Sequence, residues 1–342
     1  MLAALRSGTS PRRVLVVGAT GYIGKFVVRE LVARGHVVVA VARRRAGVGG
    51  AERESETERQ LAGAEVRYGD VTDEGWLVRE GLRGERFDVV VSCLATRTGA
   101  TKDAWLVEHE ANLNALAACR AACATHFVLL SAICVQKPLL PFQRAKLAFE
   151  AALVGSGITY SIVRPTAFFK SLAGQVEKVK RGQPFLMFGS GELTACKPIS
   201  EADLARFIAD CLDEPAKQNA VLPIGGPGPA ITPKEQGALL CELCGRAPRY
   251  RHVPVWLLDA IGLVLRTVGR LVPRARDQAD LVQIGRYYAT ESMLVLDEAT
   301  GRYDADATPS YGHDTLRDFY ARVVAEGLAG QQLGDHALFS KE

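Results

Sequence analysis

The chain has 342 residues, of which 48% are hydrophobic and 23% charged, and a formal net charge of +4. That balance excludes wholesale disorder, and the 33 glycines without a Gly-x-y period exclude a collagen-like fibre. The length suggests about two domains, or one enlarged α/β domain. Nucleic-acid binders carry a Lys/Arg stripe or patch. Here the densest basic run, Arg43-Arg44-Arg45, is short, so no nucleic-acid partner is expected. The eight cysteines form no disulfide framework in a chain this long. Cys241-x-x-Cys244 has no second pair, so a half-buried helix is favoured over a zinc knuckle and no metal is expected. Met1 to Arg13 lacks the apolar core of a signal peptide. The stretch before Val14 is also short for a plastid transit peptide, so a bacterial cytoplasm is expected.

Strands and helices alternate from Val14 onward. Val14-Leu15-Val16-Val17 is an apolar run ending at Gly18, and Tyr22 to Arg34 follows with Ile23, Val27, Leu31 and Val32 at helical spacing. Gly35 stops that helix, and Val37 to Val41 is a second apolar strand. Ala46 to Gln60 is rich in glycine and then in charge, and reads as an exposed, mobile insertion. Strand signals return at Glu65 to Tyr68, Asp88 to Cys93, Phe127 to Leu130 and Tyr160 to Val163. Helical patterns lie between them at Glu74 to Leu82, Ala104 to Ala124 and Phe142 to Leu153. Repeated β-α-β units predict an α/β fold with a doubly wound parallel sheet, because right-handed crossovers cover both faces. After Pro165 the rhythm changes. Helices are expected at Lys170 to Arg181, Asp203 to Asp213 and Thr232 to Gly245, the last with Thr232 as N-cap and Pro233 at its first turn. The C-terminal third is expected to form a smaller cap. Within it, Val253 to Val272 is apolar but interrupted by Asp259, Arg266 and Arg270, which makes a poor membrane span.

The residues Gly18-Ala19-Thr20-Gly21-Tyr22-Ile23-Gly24 sit between the first strand and first helix. Gly18 suits a tight turn, Gly21 a close approach to a pyrophosphate, and Gly24 close helix–strand packing. Gly18, Thr20, Gly21, Tyr22, Ile23 and Gly24 are therefore cofactor-binding candidates. The G-x-x-G-x-x-G spacing resembles the extended or atypical short-chain dehydrogenase/reductase superfamily. The second strand runs into Arg43 and Arg44 with no acid for a ribose 2′-OH. Guanidinium forks match a 2′-phosphate, so NADPH is expected. Asp70 is an adenine contact or a helix cap.

Members of that superfamily carry a Ser at the end of the fifth strand and Tyr-x-x-x-Lys on the next helix. Ser131 and Lys146 stand at those places and are the catalytic candidates; Lys146 also serves the nicotinamide ribose. A strand-end cap and a surface lysine are the plain alternatives. The tyrosine position holds Phe142. Its loss disfavours carbonyl chemistry, whereas a C=C bond conjugated to a large π system can accept hydride first. General acid help is typically worth about 10²–10⁴-fold, so the reaction is slowed rather than forbidden.

Seven further segments sharpen the resemblance: Gly18 to Leu31, Phe127 to Ile133, Phe142 to Lys146, Val163 to Leu172, Cys196 to Ser200, Leu222 to Gly228 and Ile284 to Ala289. Together they resemble the NADPH-dependent divinyl chlorophyllide 8-vinyl reductases of (bacterio)chlorophyll biosynthesis, over about Arg12 to His336. The resemblance implies reduction of the 8-vinyl group of a divinyl (proto)chlorophyllide. It implies an NADPH-binding Rossmann domain at 12–165, with 195–225 returning to it, and a substrate cap at 166–194 and 226–336. A flat apolar pigment with a carboxylate makes Phe142, Phe168, Phe169 and Phe188 substrate candidates, with Leu172, Phe185, Tyr287 and Tyr288 beside them, and Arg164 or Lys170 near the carboxylate. Val255 to Leu271 is read as a cap helix first, and as a helix touching a membrane surface second. Two other functions stay open: an NADP(H)-sensing regulator without turnover, and an isoflavone-reductase-like C=C reductase of another aromatic substrate.

Overall fold

The computed structural model describes residues 10–44, 54–97, 99–270 and 272–327. The first half alternates β1 (Arg13–Val17), α1 (Gly24–Ala33), β2 (Val37–Ala42), α2 (Glu54–Gln60), β3 (Glu65–Tyr68), α3 (Glu74–Trp76), β4 (Val89–Ser92), α4 (Thr101–Ala104), α5 (Ala111–Ala121), β5 (His126–Leu130), α6 (Pro141–Val154) and β6 (Thr159–Pro165). The second half holds α7 (Phe169–Leu172), α8 (Val176–Lys180), β7 (Phe185–Phe188), α9 (Glu201–Asp213), β8 (Ala220–Ile224), α10 (Pro233–Leu243), β9 (Tyr250–Val253), α11 (Val255–Val268), α12 (Pro273–Thr290), β10 (Val295–Asp297), β11 (Arg302–Asp304) and α13 (Leu316–Glu326).

Seven strands form one parallel sheet in the order β3-β2-β1-β4-β5-β6-β8. Its strands are apolar on both faces because helices cover both. Val14 and Val16 of β1 pack under α1 and α9 with Val27, Leu31, Leu204 and Ile208. Leu15 and Val17 face the other way, toward Leu77, Leu116, Phe149 and Leu153. The order reverses between β1 and β4, the topological switch point where doubly wound sheets bind ligands at the carboxyl ends of their strands.

Two departures from the sequence reading stand out. The charged stretch Glu54–Gln60 is a helix, seated by the buried Thr57 and followed by the buried Leu61; the part of the expected insertion at 46–53 lies outside the described residues. The helix expected at Ala104 to Ala124 is not regular. Between α4 and α5 it widens into a π-helical turn at Trp105–Glu110.

The segments after β6 build a second apolar core from Phe169, Val176, Phe185, Leu240, Phe319 and Tyr320. A seam of Ile133, Leu140, Phe142, Cys196, Ile284 and Tyr287 joins it to the sheet. Thr232 caps α10 through Glu235 as expected, in a reciprocal capping box. Cys241 is buried in this second core and Cys244 closes α10 at its C-cap. No helix among the described residues is long and apolar enough to cross a membrane.

Candidate active site

The glycine loop leaves β1 at Gly18, whose φ of +73° is one that L side chains rarely adopt. A Cβ on Gly18 would lie 2.5 Å from the Cys93 carbonyl carbon, and one on Gly24 would lie 2.1 Å from the Gly18 oxygen. Only glycine lets β1, β4 and α1 meet this closely. Ile23 occupies the N-cap of α1 and offers no side-chain acceptor. The first-turn N–H groups of α1 thus have no side-chain cap, and with the helix dipole they suit a phosphate. These residues fit a dinucleotide. Tyr22 lies beside the loop, its ring 6.2 Å from Phe168 and 4.3 Å from the Lys170 Nζ. Its buried hydroxyl has no hydrogen-bond partner among the described residues.

At the end of β2 the two arginines part company. Arg43 is exposed with no ion-pair partner among the described residues. Arg44 is held 2.8 Å from Glu54 and lies over the Tyr68 ring. Arg45 lies outside the described residues. Asp70 follows β3, where its Oδ1 accepts from the Thr72 N–H and hydroxyl at 2.9 and 2.8 Å. It is a turn former, not the cap of α3; that cap is Asp73, which accepts from the Trp76 N–H.

Two ion pairs lie by the end of β5, one buried and one partly buried. Lys146, on the inner face of α6, donates to Glu108 Oε2 at 2.7 Å, with both groups buried. The reading of Lys146 as a surface lysine therefore fails. The other Glu108 oxygen accepts from the Thr96 N–H at 2.9 Å. One helical turn past Lys146, Glu150 is also buried and accepts from the Ser131 hydroxyl. Its second oxygen accepts from Arg164. Ser131 is thus tied to α6, and more than a strand-end cap. Arg164 is already committed to Glu150, which corrects its assignment to a substrate carboxylate.

Sequence reasoning missed Glu108 and Glu150. A signal existed for the first. Ala104, Glu108, Ala111 and Ala115 share one helical face, and the three alanines are wholly buried. An acid on such a stripe needs a cation. Glu108 also sits within the π turn, a distortion common at functional sites.

The aromatic candidates separate. Phe142 packs in the seam with Ile133, Leu140 and Tyr287. Tyr287 donates from its hydroxyl to the Cys134 carbonyl at 2.9 Å. Tyr288, 44% exposed, turns its phenol to the Cys134 thiol within electrostatic reach of Glu108. Although the residue as a whole is partly exposed, burial of its phenol end first, then these neighbours, push that group well above its ordinary value. Phe168 sits at the glycine loop, and Phe188 is half-buried at the end of β7. Phe169 and Phe185 are buried in the second core, the former against Phe319 at 5.4 Å. Neither is free to line a pigment site, which corrects both assignments. Lys170 stands over Tyr22 at the glycine loop.

The chain matches the NAD(P)H-binding family model over residues 18–215. The solved complex of leucoanthocyanidin reductase with NADPH from Vitis vinifera has 17% identity, covers 92% of this chain and 100% of its own, and gives a TM-score of 0.63. That likeness shows the Rossmann-like fold. Divinyl chlorophyllide a 8-vinyl-reductase of Oryza sativa subsp. indica is 55% identical over 335 residues, which is 96% of this chain and 83% of the rice protein. The protein of that name from Cucumis sativus is 57% identical over 333 residues, 95% of this chain and 79% of its own. The chain belongs to this family. It is an NAD(P)H-dependent oxidoreductase. Both relatives are chloroplastic, which overturns the expected bacterial cytoplasm and points to a plastid; the length of chain before Val14 carried no such information.

Proposed function

We propose that this reductase adds a hydride and a proton across the 8-vinyl group of a divinyl (proto)chlorophyllide and leaves an ethyl group. The residue at position 142 carries the reading. A phenylalanine buried in an apolar seam stands where a phenol would serve a carbonyl reductase. NADPH, when bound, supplies the hydride, and the conjugated macrocycle takes up the charge as the vinyl carbon accepts it. The names of the rice and cucumber relatives point to the same substrate.

Each group at the strand edge then has a task. The glycine loop and the open N-terminus of α1 hold the pyrophosphate. Arg43 meets the 2′-phosphate, while Arg44 stays with Glu54. Lys146, fixed by Glu108, holds the nicotinamide ribose, and Ser131, fixed by Glu150, stands beside it. Two groups serve the returning proton: the Lys146 side chain, held by Glu108, and the Tyr288 phenol, turned to Cys134. Phe168 and Tyr288 offer the pigment apolar walls. The sheet segments hold the dinucleotide, and the cap segments 166–194 and 226–327 hold the pigment.

The test is optical. Protein, NADPH and divinyl chlorophyllide are mixed, and the Soret band is followed. A blue shift with oxidation of NADPH supports the reading. NADPH binding with no change in the pigment favours a sensor, and turnover of an isoflavonoid but not the pigment favours another aromatic substrate.

A further inference from the structure

The hairpin of α11 and α12 leaves an apolar surface uncovered. Gly262 is the one buried residue of α11, and a Cβ there would lie 3.6 Å from Val282 of α12. Leu258 and Leu265, a turn to either side, are half-buried. The rest of the helix faces away. Trp256, Leu263 and Val264 are 66%, 65% and 61% exposed, and Leu257, Ile261 and Val268 are exposed beside them. Such contiguous apolar exposure marks an interaction surface.

The charge around this face says what it meets. Residues 245–276 contain seven arginines and one aspartate, an excess larger than the net +4 of the whole chain. The one acid, Asp259, is neutralised by Arg286. Arg249 and Arg251 precede the helix, and Arg266 and Arg270 stand at its far end; all four are exposed, with no ion-pair partner among the described residues. Where Arg249 and Arg266 do bond, they donate to backbone carbonyls. Cations at both ends of an apolar helix face are the chemistry of a helix lying in the headgroup layer of an anionic bilayer. At 14 residues α11 is too short to span one. A second copy of this chain would bring the same arginines against each other, and like charges oppose that pairing.

We propose that α11 docks the protein on an anionic lipid surface, with Trp256, Leu263 and Val264 entering the headgroup layer. This reverses the first reading of Val255 to Leu271 as a closed cap helix. It goes beyond the catalytic reading and does not depend on it. The experiment is flotation of the full chain with vesicles of phosphatidylcholine and phosphatidylglycerol, against vesicles of phosphatidylcholine alone. The chain should float with the anionic vesicles, and float less as salt rises. Trp256→Glu and Leu263→Glu should each weaken the partition about tenfold or more, and should leave NADPH binding, assigned to the sheet segments, unchanged. No flotation on anionic vesicles would overturn the proposal. So would a dimer by light scattering that Leu263→Glu dissociates, since the face would then be occupied by a second copy.

Discussion

Ser131 and Lys146 were legible through the superfamily resemblance, because a strand-end serine followed by a helix lysine is a local pattern that the sequence can be matched to. Their partners were not. Glu108 lies 38 residues before Lys146 and meets it only because its helical turn packs against α6. This pairing shapes how Lys146 must be tested. Lys146→Met alone leaves a buried carboxylate without its cation, at a cost of about 3–5 kcal/mol. Adding Glu108→Gln removes that charge. Turnover should fall about 100-fold in both variants, while thermal stability should recover in the double variant and the KM for NADPH should rise by less than turnover falls. Wild-type turnover in the double variant would make Lys146 structural. The arginines divide by the same logic. Arg43→Ala should raise the KM for NADPH about tenfold and leave that for NADH unchanged, since a charge-assisted contact is worth roughly 1.5–3 kcal/mol. Arg44→Ala should do less, because Glu54 already holds that guanidinium. Equal effects on the two nucleotides would contradict the 2′-phosphate assignment.

The sheet elements were legible because a strand covered on both faces must be apolar at every position. Val14 to Val17, Val37 to Val41 and Phe127 to Leu130 announce themselves on that ground, and each lies in a strand of the parallel sheet. Amphipathic Glu54–Gln60 was hidden by its charge, since only Thr57 of that helix is buried. Tertiary packing also decided which aromatics stay available. Phe168 and Phe169 are neighbours in sequence, yet one faces Tyr22 at the dinucleotide loop and the other packs on Phe319. No single-residue pattern separates them. The apolar run of α11 read correctly as a helix, but its exposure became visible only once Gly262 proved to be its one buried point.

The ends of the sheet have different work. The proposed chemistry lies at the carboxyl edge, and at the opposite edge buried histidines tie stability to pH. At that opposite edge His126 opens β5, buried, with Nε2 2.9 Å from the Ser161 hydroxyl. Ser161 itself donates to the Lys217 carbonyl, so His126 donates from Nε2, and its Nδ1 has no partner among the described residues. Burial lowers the His126 pKa to about 4, and His36 shifts the same way. The unfolded chain therefore takes the proton first, and stability falls as pH drops from about 6.5 toward 4. The full shift corresponds to about 3 kcal/mol. Thermal unfolding followed through this window should show the loss, and His126→Asn should flatten it; an unchanged slope in that variant would put the acid sensitivity elsewhere. The central claim concerns the other edge, that hydride passes from the nicotinamide to a vinyl carbon. Mass spectrometry of the pigment made with NADPH deuterated at C4 tests it most directly. The account predicts an ethyl product carrying one deuterium from the nucleotide, formed as NADPH is consumed. Recovery of unreduced divinyl pigment, or of an ethyl product without the label, would contradict it.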